Sequence, residues 1–166
     1  MKSYLFIIAG LLPGLVSYSQ EKQILKLLNE QLEKEIRFQQ QDSVNYRGEH
    51  FEIVQPYTIH EGILSVAIKK RNLYDNSFFV EKQEVPLKLL NSVLKDINVL
   101  MEAEGKVVKI TRTPEISKDV KDTVVHYTDL FFLHFCYEQQ NEYLADALIK
   151  AFKKANLTIV KNGWYD

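Results

Sequence analysis

Two apolar stripes at helical spacing stand near opposite ends of this chain, and most of the sequence between them is β-prone. In Glu21–Gln41, Ile24, Leu28, Leu32 and Ile36 recur every four residues, and Leu25 and Leu27 widen the stripe. That spacing predicts an amphipathic helix with one buried face. Glu30 and Lys34 form a favourable i,i+4 pair on the other side. In Gln139–Ala155 the stripe is Leu144, Ala147, Leu148, Ala151 and Phe152. There Glu142 and Asp146 precede Lys150, Lys153 and Lys154, the order that the helix dipole favours.

Between the helices, short apolar runs alternate with turn residues. His50–Tyr57, Ile63–Lys70 and Ser77–Val85 read as strands, the second with Leu64, Val66 and Ile68 on one face. Asp75-Asn76 marks a turn, because both residues tolerate tight-turn backbones. Pro86 followed by Leu87, Leu90, Val93 and Leu94 predicts a short helix with proline in its first turn. Ile97–Glu102 and Val107–Thr113 read as strands joined by a hairpin at Ala103–Lys106. Pro114–Asp122 reads as a charged surface loop, and Thr123–Tyr137 as one long strand buried at its second half. Leu157–Val160 reads as a terminal strand and Asn162-Gly163 as a turn. Short links favour antiparallel neighbours. The expected fold is α+β: a single twisted, mostly antiparallel sheet with two long helices, one N-terminal and one near the C-terminus, packed on one face.

The first residues carry a different message. Lys2 gives a short positive start, Tyr4–Val16 is apolar apart from Gly10, Pro13 and Gly14, and Ser17-Tyr18-Ser19 supplies small residues where a signal peptidase reads. This is the layout of a secretory leader over residues 1–19, cleaved after Ser19, followed by a single domain over 20–166. The apolar run is about 13 residues, short of the ~20 that span a bilayer. The protein is therefore expected to be exported, to the periplasm or beyond, with no membrane span in the mature chain. No Cys near the cleavage site offers a lipid anchor.

With 21 Lys and Arg against 22 Asp and Glu, the chain has no basic field to attract nucleic acid. Cys136 is the only cysteine, so the exported domain must hold itself together by its core and not by an internal disulfide. Set among Phe131, Phe132, Leu133, His134, Phe135 and Tyr137, that cysteine reads as a small buried hydrophobe. The chain contains no nucleophile elbow, P-loop, dinucleotide fingerprint, zinc-protease helix, paired-cysteine motif or calcium loop.

The histidines lack metal-ligand spacing. His126 and His134, eight apart in one expected strand, would stand roughly 26 Å apart. His50, His60 and these two read as solvated strand and loop residues, and no metal or cofactor is expected. The acidic neighbours Glu33/Glu35, Glu81/Glu84, Glu102/Glu104 and Glu115/Asp119 read as solvated surface. The suggestive feature is aromatic. Of the nine Tyr, nine Phe and one Trp, the residues Tyr46, Tyr57, Tyr74, Trp164 and Tyr165 fall in expected loops or strand ends. Tyr and Trp there offer apolar area with a polar handle, which suits a binding surface. The sequence thus points to a small exported binding domain. Its partner would be an envelope protein, a peptide or a small apolar ligand. A hydrolase with an unrecognised site and an inhibitor or immunity-type protein are the alternatives.

Overall fold

A computed structural model describes residues 13–42, 44–46, 48–115 and 122–165, with side chains from Glu21 onward. Of the expected leader, residues 1–12 lie outside the described residues, and so do Asp119 and most of the loop around it. The elements run α1 (Pro13–Gln41), β1 (Phe51–His60), β2 (Ile63–Arg71), β3 (Phe78–Pro86), a single 3-10 turn (Leu87–Leu89) and β4 (Leu90–Lys95). Then come β5 (Val99–Ala103), β6 (Val108–Pro114), β7 (Val124–Thr128), β8 (Leu130–Phe132), α2 (Tyr143–Lys154) and β9 (Val160–Trp164).

The fold is α+β with mostly antiparallel strands, but the strands divide between two sheets where one was expected. One has the order β1-β2-β3-β6-β7 and the other β8-β5-β4-β9. Among the described pairings only β4 with β9 is parallel. Helix α1 lies against α2 and β1, while α2 also packs on β4 and β9. The stripe residues Ile24, Leu28 and Leu32 meet Leu144, Leu148 and Phe152 in one core with Leu64, Val66, Ile68, Met101, Phe131 and Phe135.

The β1–β2 hairpin closes at Glu61-Gly62, whose φ angles of 52° and 74° are both positive, the backbone that a tight hairpin turn requires. Between β2 and β3, Asn72 and Asp75 side chains accept from the Tyr74 and Ser77 amides, as turn-forming residues do.

Four expectations need correction. Residues 87–94 form one 3-10 turn and then β4, because Leu90, Ser92, Val93 and Lys95 are buried in a strand with pairing partners on both sides. The turn at Ala103–Lys106 exists, with Gly105 at φ 76°, but it carries the chain from the second sheet to the first and joins no hairpin. The expected strand 123–137 breaks at Asp129, with β7 in one sheet and β8 in the other. Asn162-Gly163 is no turn; both residues lie in β9, beside β4.

Three side-chain amides finish sheet edges where no strand continues. Asn29 of α1 donates to the Tyr57 carbonyl (3.0 Å) and accepts from the Tyr57 amide (2.8 Å). Gln39 does the same for Phe51, at 2.9 and 3.0 Å. Gln83 accepts from the Phe132 amide (2.9 Å) and reaches its carbonyl at 3.5 Å. A carboxamide has one donor face and one acceptor face, so it can replace one rung of a strand.

Candidate functional site

The densest polar cluster forms where the end of α1 meets the irregular segment after β8. Glu35 stands three residues after Leu32, on the buried face of the helix, and is fully buried. Its Oε1 accepts from Tyr46 OH (2.9 Å), the Cys136 amide (3.1 Å), the Cys136 thiol (3.0 Å) and the Tyr137 amide (3.0 Å). Those two amides belong to chain that has left the sheet, so the carboxylate supplies the acceptor that a strand would otherwise have given. Oε2 is buried as well, and has no hydrogen-bond partner among the described residues.

A row of rings runs across this cluster. Phe38 stacks on Tyr137 with centroids 4.5 Å apart, Tyr137 lies parallel to Tyr46 at 6.1 Å, and Tyr46 meets His50 at 5.2 Å. Rings of the row line two depressions. One is a groove of about 420 Å³ lined by Phe38, Asn45, Tyr137, Glu138 and Gln139. The other is a cleft of about 290 Å³. Tyr46, Phe51, Phe132, His134 and Cys136 line it on the inside together with the largely buried Lys70, and Glu49 and Ile97 are its more exposed lining residues.

Burial reinforces the neutral forms along the inner wall. Desolvation pushes the Cys136 thiol up to about 12, with the Glu35 carboxylate adding to the rise. Desolvation also raises Tyr46 far above an ordinary phenol. It holds His134 well below an ordinary imidazole, helped by the nearby Lys70 ammonium. The Gln83 carboxamide oxygen is committed to the Phe132 amide, so its nitrogen donates to His134 Nε2 at 2.8 Å. The imidazole proton therefore sits on Nδ1. Thiol, phenol and imidazole are all uncharged at neutral pH, a poor set for thiolate attack or proton shuttling and a good lining for uncharged surface.

The cleft also holds a paired charge. Lys70 pairs with Glu49 at 3.3 Å and Glu81 at 3.6 Å, and Glu81 also receives Arg112 at 2.7 Å. Behind the cluster, Lys95 is buried and donates to the Glu138 carbonyl and to Asn141 Oδ1, both at 2.9 Å. Gly48 covers Cys136 so closely that a Cβ there would lie 2.2 Å from Sγ and 2.8 Å from Tyr46 OH.

The aromatic residues picked from the sequence do not converge. Tyr46 alone lines the cleft, with its ring buried. Tyr57 is in the core, its hydroxyl donating to the Leu133 carbonyl at 2.7 Å, and has almost no surface to offer a ligand. Tyr74 is fully exposed on the β2–β3 turn. Trp164 is half-buried at the end of β9, with Nε1 donating to Asn141, and Tyr165 is exposed beside it. His134, Glu35 and Glu81 are buried, contrary to the solvated reading, whereas His50, His60 and His126 are exposed. Glu35, His134 and Cys136 were missed as a site. The available signal was a glutamate placed on the apolar stripe of α1.

Among the described residues no three His, Cys, Asp or Glu side chains are grouped to hold a metal ion, and no helix is long and apolar enough to cross a membrane. Compared with known proteins, the chain matches no family model, no curated protein and no solved structure.

Proposed function

We propose that this protein is an exported binding domain whose 290 Å³ cleft receives an uncharged, largely apolar group, either a small molecule or a side chain of an envelope peptide or protein. The observation that carries this reading is the inner wall of the cleft. Phe51 and Phe132 give it apolar surface, and its thiol, phenol and imidazole are uncharged at neutral pH. Ligand sites commonly combine such a lining with a few polar groups that fix orientation. Here Asn98 and Lys70 occupy that role beside the apolar wall. Export rests on the leader-like Met1–Ser19.

The test is an NMR titration of the mature chain with neutral aromatic fragments (indole, benzyl alcohol and phenylacetamide). Saturable shifts confined to the amides of Gly48, Asn98, His134 and Cys136 are expected. Shifts scattered over the surface, or none at these residues, would overturn the reading. A parallel expression with the native leader should give a periplasmic mass corresponding to residues 20–166. An intact 1–166 chain held in the membrane fraction would remove export from the proposal.

A further inference from the structure

The wall of the cleft carries a donor with no acceptor. His134 is 6% exposed and lines the cleft, and its backbone φ is 57°. A non-glycine residue in that left-handed region is strained, and it persists only where its surroundings hold it. Here the ring is held by two neighbours. Gln83 donates to its Nε2 at 2.8 Å, and Phe51 lies against it with centroids 5.5 Å apart. Gln83 is itself fully buried, with its oxygen taken by the Phe132 amide, so the imidazole proton lies on Nδ1. No described residue accepts from that Nδ1–H. Nor is Nδ1 sealed in. Among the described residues, the enclosed polar side-chain atoms without a partner are Glu35 Oε2 and Asn141 Nδ2. Nδ1 therefore keeps part of the small surface that His134 shows, and His134 lines the cleft.

We infer that this Nδ1–H is the orienting donor of the cleft, and that the ligand gives it a neutral carbonyl oxygen, that of an amide borne on an apolar group. The inference rests on the reading of the cleft as a binding site. A donor that loses its water when a ligand enters opposes binding unless the ligand supplies an acceptor. The acceptor is neutral because the charges nearby are already matched. Lys70 pairs with Glu49 and Glu81, and Arg112 completes the second pair. A ligand carboxylate would add an unmatched negative charge beside two acids. Asn98 favours an amide in particular. It is half-buried, it lines the cleft, and its carboxamide bonds to no described residue, so its oxygen can accept an amide N–H. The apolar part of the ligand then rests on Phe51 and Phe132.

Imidazole 15N spectra of the mature chain test this directly. Without a probe, Nδ1 is expected to be protonated and Nε2 bare. Saturating phenylacetamide should shift Nδ1 and move its proton downfield. Toluene, which fills apolar space without an acceptor, should bind and leave Nδ1 unmoved. Phenylacetate should bind more weakly than phenylacetamide. His134→Asn, chosen because asparagine tolerates positive φ, should weaken phenylacetamide about three- to tenfold and leave toluene unchanged. If that variant does not fold, the spectra of the parent chain decide. An Nδ1 shift with N-acetylphenylalaninamide would assign the amide to a peptide, and a shift with phenylacetamide alone to a small molecule. A proton found on Nε2, or phenylacetamide bound without moving Nδ1, overturns the inference while the cleft remains a binding site. Equal losses of phenylacetamide and toluene in His134→Asn do the same. Binding of neither probe overturns both.

Discussion

Asn29 offers the sharpest test of how this fold ends its sheets. Asn29→Ala removes both hydrogen bonds to the Tyr57 backbone, at 2.8 and 3.0 Å, beside a tyrosine that is 1% exposed. Each such bond contributes roughly 0.5–1.5 kcal/mol net, so the pair contributes about 2 kcal/mol at the middle of that range. Alanine is the better helix former, by up to about 0.7 kcal/mol, and part of the loss is offset within α1. The expected net destabilisation is about 1–2 kcal/mol, read as a lower urea midpoint at unchanged slope. Asn29→Asp separates the two bonds. It keeps an acceptor for the Tyr57 amide but turns a carboxylate oxygen toward the Tyr57 carbonyl, so it should destabilise at least as much as alanine. Amide exchange at Tyr57 should accelerate in both variants. If Asn29→Ala changes stability by less than about 0.5 kcal/mol, helix propensity has matched the whole effect and the amide is not acting as a strand.

Three further outcomes follow from the cluster around Glu35. Cys136, its thiol raised to about 12, should react with a thiol reagent at pH 7 far more slowly in the folded chain than in urea; equal rates would refute its burial against Glu35. Gly48→Ala should destabilise by about 1–3 kcal/mol, as overpacking does, because the new methyl would sit 2.2 Å from Cys136 Sγ. Adding Cys136→Ala should recover part of that loss in a double-mutant cycle, and strict additivity would refute the clash. His134 is held below its unfolded pKa, so the unfolded chain binds the extra proton first. Stability is then full above about pH 6.5 and falls as pH drops below it, and His134→Gln should flatten that slope in denaturant titrations at several pH values.

What the sequence made legible follows the range of the interactions involved. Both helices were readable because Leu28 and Leu32, or Leu144 and Leu148, repeat within a single element. In the β1–β2–β3 meander the second turn was readable, because Asp75-Asn76 carries its own chemistry, whereas β1 runs on past Tyr57 to His60 before the chain reverses. Gly105 does sit in a turn, yet a turn residue does not state which sheet the chain enters, and the hairpin expected there is absent. Residues 87–94 failed for a related reason. Leu87, Leu90, Val93 and Leu94 fit a helical period by coincidence, and burial of β4 between β5 and β9 decides the outcome from residues far away in sequence.

The candidate site was less legible than the fold, because aromaticity marks both cores and surfaces. Tyr57 and Tyr46 were chosen by type, and their hydroxyls turn out to be fixed inside, on Leu133 and Glu35. The better guide was a local contradiction, a carboxylate placed where the stripe of α1 calls for an apolar residue. A buried acid costs free energy unless donors surround it. Glu35 survives there because Tyr46, Cys136 and Tyr137 bring four donors to one oxygen. Each of those donors comes from a segment without regular structure, so the glutamate organises the loops from which the cleft is built. That links the stability of the cluster to the shape of the cleft: a change that loosens Glu35 should release Tyr46, Gly48 and Cys136 together, and the cleft wall with them.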